Sequence, residues 1–384
     1  MWWLLALIAS VSLLTFILLF GRAPAFKNSI IGSAYVFLAV SLPSSLYKLD
    51  LLLCKGAITN HLQASFNYLL YDRNWAVVII YAAIVLFEEY LFFSCIFPTL
   101  PGLLQLLSII IAPLSFVALF FACTADPGVI TPQNVQRAIT LNPYDRLLFM
   151  PSECSSCKIL KPARSKHCSI CKCCISKVDH HCPWINACIG QNNQRFFILF
   201  CLANVLLTFT GLILSAHAVL DAYRDYIDSV DPPLPSIWNP YTFKILLREG
   251  YIESGHFIVF WTSLLMLPLA LAFSFQQLLF IAMGYTLNEH SKWQAIKAGL
   301  ADGNLDQYVD VNGTPYGMGP NGSGSIALQW LGNSYNRTLT PEEDQMIQSH
   351  DLHITKVTSW KQLNNMYDKG VIGNFKEVFF GPFL

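Results

Sequence analysis

Between Cys154 and Cys188 the chain reads CSSCKILKPARSKHCSICKCCISKVDHHCPWINAC, a run with eleven side chains able to bind a metal ion. They are Cys154, Cys157, His167, Cys168, Cys171, Cys173, Cys174, His180, His181, Cys182 and Cys188. Two tetrahedral zinc sites need eight ligands. The surplus is where reaction chemistry can reside, and it falls in and around the tetrad Asp179-His180-His181-Cys182.

Cys154-x2-Cys157 and Cys168-x2-Cys171 are each half of a zinc knuckle, in which a tight turn brings two sulfurs to one ion. One such pair is a weak signal; two, with His167, Cys174, His181 and Cys188 nearby, are a strong one. Burial as small hydrophobes is the competing reading of these cysteines. It fails because Lys, Ser and Arg surround them and leave no apolar period. Adjacent residues such as His167 and Cys168 point in different directions along an extended segment, which suggests two interleaved sites. One uses Cys154, Cys157, His167 and Cys174; the other uses Cys168, Cys171, His181 and Cys188. Cys173, His180 and Cys182 remain. Cys182 with His180 makes a nucleophile and a base, and Asp179 can orient the imidazole. A neighbouring His or metal lowers a thiol's pKa from about 8.5, giving a thiolate able to attack a thioester. Two structural readings compete: Cys182 as an alternate zinc ligand, and Asp179 as a turn former or as acceptor for a ligating His.

These groups must be held by something, and the composition points to a bilayer. The 384 residues carry no formal net charge, are 54% hydrophobic and only 12% charged, which argues against nucleic acid or an acidic partner. Apolar runs cover Trp2 to Phe20, about Trp75 to Phe97, Leu103 to Ala122, Phe196 to Val219 and Phe257 to Met283. Each approaches the ~20 residues that cross ~30 Å of hydrocarbon. A weaker run, Ile30 to Leu46, is interrupted by Ser and Pro and is read as outside the membrane. Residues 123–195 are rich in Lys and Arg and therefore cytosolic, whereas Asp221, Asp225, Asp228 and Asp231 suit a lumenal loop. Closely spaced thiols in a reducing compartment agree with metal or catalysis rather than disulfides. The first run lacks a basic leader and is followed by Arg22 and Lys27, so it reads as a retained anchor rather than a cleaved signal.

The fold expected is thus an all-α integral membrane protein, with a small cytosolic cysteine-rich domain that binds two zinc ions. Its parts are an N-terminal anchor (1–21), a cytosolic linker (22–73), a helix pair (74–123), the cysteine-rich domain (124–195), a second helix pair with a lumenal loop (196–283) and a cytosolic tail (284–384). The N-terminus is lumenal in this scheme. Glu88-Glu89 fall in or beside the second span, where acids attract functional suspicion; a place at the lumenal interface is the preferred reading. Residues 301–340 are rich in Gly, Asn and Ser and read as a connector, with sequons at Asn312, Asn321 and Asn336 that stay unmodified in the cytosol. The last twenty residues turn apolar and are expected to fold back onto the membrane or the cysteine-rich domain.

At these residues the chain resembles the DHHC family of integral-membrane protein S-acyltransferases. The match runs C-x2-C-x3-K-P-x-R-x2-H-C-x2-C-x2-C-x4-D-H-H-C-P-W-I-N-x-C-I-G-x2-N-x3-F, through Asn193 to Phe197. Asp126-Pro127-Gly128 resembles the family's DPG motif, and Tyr367-Asp368-Lys369-Gly370 with Asn374 and Val378-Phe379 its C-terminal motif. The resemblance covers about residues 70–384 and leaves the first span as an addition to four core helices. PARSKHCSIC and NMYDKG look most like the fungal endoplasmic-reticulum members that acylate SNAREs. It implies the interleaved zinc assignment, Cys182 as the acyl carrier, His180 as its base and Asp179 as the partner of His180. The family's Thr-Thr-x-Glu motif reads Thr286-Leu287-Asn288-Glu289 here, which puts a polar contact from position 287 to the catalytic site in doubt.

The reaction this implies is ping-pong transfer of palmitate from palmitoyl-CoA to cysteines near the cytosolic end of a partner's membrane span. Arg164, Lys166 and Arg195 are candidates for the CoA phosphates, with simple positive-inside charge as the equal alternative. A membrane-anchored zinc adaptor or ubiquitin-ligase-like module is the competing function, and it needs no free Cys182. A transporter reading leaves the cysteine-rich domain unexplained.

Overall fold

Apolar runs become long helices because a chain in hydrocarbon must satisfy its backbone N–H and C=O groups within itself. In the computed structural model the helices are, in chain order, α1 (Ile30–Cys54), α2 (Ala57–Tyr71), α3 (Ala76–Thr99), α4 (Gly102–Thr124), α5 (Val135–Leu141), α6 (Gln194–Ser229), α7 (Ser254–Ala282), α8 (Leu287–Ala301) and α9 (Gly370–Phe380). The structure describes residues 26–145, 148–149, 151–229, 254–301, 305–309, 329–330, 353–357 and 365–384, with scattered positions between 10 and 22, between 244 and 248, and at 359 and 363. Among the described residues, α1, α3, α4, α6 and α7 are long and apolar enough to cross a membrane.

Helix α1 departs from the expectation of a linker over residues 22–73. Its 25 residues are long and apolar enough to span. Pro43 does not end it, because the preceding Phe37–Ser41 segment widens into π-helical turns, which absorb the missing N–H and the ring. The first apolar run, Trp2 to Phe20, lies mostly outside the described residues. Glu88 and Glu89 stand mid-way along α3, which continues to Thr99, rather than at its end.

The chain divides into two compact units. The first comprises Met1–Phe120, Pro183–Asn186 and Ile198–Phe275. Its apolar core gathers Ile96, Leu100, Leu214, Ala218 and Val259 from α3, α6, α7 and the α3–α4 turn. Small residues make room in it: at Gly255 a Cβ would collide with the Cys95 side chain. Polar pairing adds to this packing, as where Tyr81 donates to Asn204 Oδ1 at 2.7 Å. The single turn Pro183–Ile185 belongs to this unit and packs on α2 and α3.

The second unit comprises Phe121–Cys182, Ala187–Phe197 and Gln276–Leu384. Its strands are short: β1 (Val129–Ile130), β2 (Ser152–Glu153), β3 (Leu160–Lys161), β4 (Lys166–Cys168), β5 (Cys173–Ile175), β6 (His180–Cys182), β7 (Ala187–Ile189), β8 (Leu305–Val309), β9 (Gln329–Trp330) and β10 (His353–Lys356). They form sheets β1-β5-β4, β2-β3, β6-β7 and β10-β8-β9, all antiparallel. The last sheet replaces part of the expected connector, since Leu305–Val309 is a segment whose Tyr and Val favour a pleated backbone. The three sequons lie outside the described residues. Gly128 takes φ 96° in the Asp126-Pro127-Gly128 turn. Asp126 Oδ1 accepts from the N–H groups of Gly128 and Val129, and β1 is thereby aimed at β5.

Candidate active site

Each knuckle is built the same way. Lys158 and Lys172, one residue beyond the second cysteine, adopt left-handed φ of 54° and 57°. Their N–H groups return to the carbonyls of Cys154 (2.8 Å) and Cys168 (2.7 Å). The turn also lets Cys157 N–H donate to Cys154 Sγ and Cys171 N–H to Cys168 Sγ. Strand register supplies the other ligands. His167 lies opposite Cys174 across β4–β5, and His181 opposite Cys188 across β6–β7.

Two groups of donors result, Cys154/Cys157/His167/Cys174 and Cys168/Cys171/His181/Cys188, with ligand atoms within 4.8 Å of one another in each. His167 Nδ1 lies 3.6, 3.3 and 3.9 Å from the sulfurs of Cys154, Cys157 and Cys174. His181 Nδ1 lies 3.8, 3.3 and 3.6 Å from those of Cys168, Cys171 and Cys188. Ligands 2.0–2.3 Å from a tetrahedral zinc stand about 3.6 Å apart, so both groups fit that ion in size and donor type. Asn193, fully buried, fixes the last ligand by donating to the Cys188 carbonyl at 2.9 Å while accepting from Gly190 N–H.

Period-two alternation puts His180 and Cys182 on one face of β6 and His181 on the other. His180 Nδ1 stands 2.6 Å from Asp179 Oδ2, and its ring lies edge-on to Phe197. Burial works against a charged imidazole here, but the Asp179 carboxylate and the Cys182 sulfur pull its pKa up to about 10. Cys182 is 4% exposed and belongs to neither metal group. The structure therefore assembles a carboxylate, an imidazole and a sulfur in the sequence a Cys–His nucleophile requires. Cys173 is half-buried on β5, opposite Cys168, and outside both groups.

Helix α8 holds Asp179 from behind. Thr286 and Glu289 form a capping box: Thr286 N–H donates to Glu289 Oε2 at 2.8 Å, and Glu289 N–H to Thr286 Oγ1 at 3.3 Å. Thr286 Oγ1 also donates to the Val178 carbonyl at 3.0 Å. The backbone N–H of Leu287 donates to Asp179 Oδ1 at 2.6 Å. The polar contact that Leu287 put in doubt is thus made, through the main chain. The S/T-x-x-E pattern of Thr286 and Glu289 was the sequence signal for this cap, masked by reading the segment only as a departure from a motif.

Two of the three basic candidates for donor phosphates are committed elsewhere. Arg164, 2% exposed, makes a bidentate pair with Glu289 (2.6 and 2.7 Å), lies 3.6 Å from Glu377 and covers the Tyr367 ring. Arg195 donates to the Phe379 carbonyl and lies 3.9 Å over the Phe383 ring. Lys166 alone remains exposed. Lys177 is buried against Glu377 at 2.6 Å, and with Arg164, Tyr367 and Asn374 it lines a cavity of ≈ 10 Å³, about enough for one water. Tyr367 donates to the Pro143 carbonyl, and Asn374 to the carbonyl of Ala282 at the end of α7. The C-terminal motif is thereby a brace.

Residues 150–294 match the model of the DHHC palmitoyltransferase domain. The chain is 33% identical to the palmitoyltransferase swf1 of Schizosaccharomyces pombe, covering 98% of this chain and 96% of the relative. It is 31% identical to palmitoyltransferase SWF1 of Yarrowia lipolytica (97% and 96% covered) and 28% identical to that of Neurospora crassa (99% and 92%). With this likeness along nearly its whole length, the chain belongs to the DHHC family of membrane protein S-palmitoyltransferases.

Proposed function

We propose that the chain takes palmitate from palmitoyl-CoA onto Cys182 and passes it to cysteines of membrane proteins, SNARE-like in having their acceptor near the cytosolic end of a membrane span. The reading places the enzyme in the endoplasmic-reticulum membrane with residues 124–195 and the tail on the cytosolic side. If α1 and the first apolar run both cross, the N-terminus joins them there. The observation that carries the mechanism is the 2.6 Å contact of His180 with Asp179, beside a cysteine that neither metal group requires.

The chemistry proceeds in two displacements. The Cys182 thiolate attacks the thioester carbonyl, a new C–S bond forms, and the CoA thiolate leaves, taking a proton from His180. His180 then removes the proton of the acceptor thiol, whose sulfur attacks the acyl carbonyl and releases the Cys182 thiolate. Asp179 holds the ring with Nδ1 toward itself, leaving Nε2 for these transfers. At ~0.8 kcal/mol per buried CH₂, a sixteen-carbon chain contributes on the order of 10 kcal/mol to donor binding, which suits a nucleophile carried on a segment between two membrane helices of the same chain. The two metal groups, bound to zinc, would be structural, since each is closed by four protein ligands.

Labelling with a fatty-acyl probe tests this. Cys182→Ser should lose the hydroxylamine-sensitive label and keep two zinc ions. His180→Ala should keep zinc and acylate slowly, and Asp179→Asn should do the same more mildly. His181→Ala should release metal and damage the fold. Loss of zinc in Cys182→Ser, or an unlabelled parent chain with full zinc, would return the competing reading of an anchored zinc adaptor.

A further inference from the structure

The end of α9 and the segment after it do not trail away; four side chains grip their main chain. Arg137 of α5 donates to the Phe383 carbonyl at 2.9 Å, and Gln191 to the Pro382 carbonyl at 3.1 Å. Arg195 donates to the Phe379 carbonyl at 3.0 Å while its guanidinium covers the Phe383 ring. Asn192, 6% exposed, accepts the N–H of Leu384 at 2.9 Å. Gln191 is itself tied into the zinc-knuckle unit, since Ser176 donates to its Oε1 at 2.7 Å and Asn142 at 3.0 Å. At the end of this path the Leu384 side chain packs with Cys157 against the cluster of Ile130, Cys154, Ile159 and Cys174. Three of those residues, Cys154, Cys157 and Cys174, are ligands of the first donor group. Among the described residues, the apolar cluster around the second donor group, built on Ile175, Val178 and Cys188, takes no member from this segment.

We infer that residues 379–384 form the outer wall of the first metal site, a strap that excludes water and competing ligands from Cys154, Cys157 and Cys174 and so retains the ion. The reason is chemical. A thiolate leaves a metal when water, a proton or another ligand reaches it, and an apolar wall over the sulfurs slows each of these. The hydrogen bonds to the strap fall on its backbone, so the clamp fixes its path while Leu384 supplies the apolar cover. The strap also joins the first site to residues 191–195, the turn after Cys188 and the start of α6, which makes the hold on one metal depend on segments far apart in the chain. It rests on the zinc reading of the two donor groups.

The test uses the full-length protein in detergent micelles, with zinc per chain measured first. Chelator (EDTA) is then added with a maleimide, and mass spectrometry follows the labelling of each cysteine. In Phe383→Ala/Leu384→Ala, labelling of Cys154, Cys157 and Cys174 should speed up on the order of 10- to 100-fold, the usual effect of losing support around metal ligands. Cys168, Cys171 and Cys188 should label at the parent rate. Arg137→Ala, which removes one clamp from an exposed position, should shift the same three cysteines in the same direction and covers the case where the double variant does not fold. Unchanged labelling, or equal acceleration in both groups, overturns the strap. A parent chain with fewer than two zinc ions overturns the metal reading instead.

Discussion

Removing one partner of the Arg164–Glu289 pair should destabilise the second unit more than any exposed substitution in it. The two contacts are 2.6 and 2.7 Å, and the side chains are 3% and 1% exposed. Glu289→Gln leaves the buried guanidinium with one carboxylate among the described residues, Glu377 at 3.6 Å, besides the Tyr367 ring and the Gly284 carbonyl; Arg164→Met leaves a buried carboxylate that still caps Thr286. Stranding a buried charge costs about 3–5 kcal/mol. At ~2–4 °C per kcal/mol for a unit of this size, the melting point should fall by roughly 6–20 °C. The double variant Arg164→Met/Glu289→Leu strands no charge and loses chiefly the cap, about 1 kcal/mol, so it should melt above both single variants. Thermal unfolding followed by tryptophan fluorescence, with zinc content as a control on the fold, measures all four proteins. Single variants within about 1 kcal/mol of the parent, or a double variant that loses the sum of the two, would refute the argument.

Two further outcomes follow from the same brace. Proline fits the first turn of a helix, so Leu287→Pro deletes the N–H that meets Asp179 without interrupting α8; a hydrogen bond to a charged group contributes ~1.5–3 kcal/mol, and acyl-enzyme formation should slow roughly 10- to 100-fold relative to Leu287→Ala, equal rates in the two showing the amide to be idle. For Glu377, burial favours the neutral acid, but Lys177, Lys369 and Arg164 outweigh it and hold its pKa down at about 2. A depressed carboxylate stabilises the fold fully above its unfolded pKa of about 4.3 and loses that stabilisation as pH falls toward 2. The gap in melting point between the parent and Glu377→Gln, worth about 3 kcal/mol at neutral pH, should therefore close between about pH 4.5 and 2; a gap independent of pH would count against these ion pairs.

Much of this was legible in the sequence because ligand spacing and apolar run length are local. The two C-x2-C turns, and the runs that became α3, α4, α6 and α7, each declare themselves within one window. Position 30–54 did not, because Pro43 reads as a helix breaker and only the π-helical turns before it let the helix continue. The roles of Arg164 and Arg195 were equally hidden. Each is one positive charge in a basic segment, and its partner lies far off in sequence, Glu289 for the first and Phe379 and Phe383 for the second. Composition cannot tell a buried guanidinium from one waiting for a phosphate. The strands at Leu305–Val309 and His353–Lys356 were missed for the same reason, since they pair across some forty residues.

The tetrad Asp179-His180-His181-Cys182 can serve both metal binding and transfer because β6 is a strand. Its alternation sends His181 to the side of Cys188 and leaves His180 and Cys182 together on the other. A slip of one residue would exchange the faces, pointing Cys182 at the metal group and His181 at the reacting side. Register is fixed by the His181–Cys188 pairing and by Asp179 N–H, which donates to the Ile189 carbonyl at 2.8 Å. An ion held by His181 and Cys188 would clamp both strands at that rung. In the proposed mechanism the donor group would thus act on Cys182 without touching substrate, by setting which way that side chain faces. A residue such as Cys188, which lies in the donor group and not in the proposed transfer pair, should on this reading be as necessary to acylation as His180, and its loss should appear first as metal release and only afterwards as lost transfer.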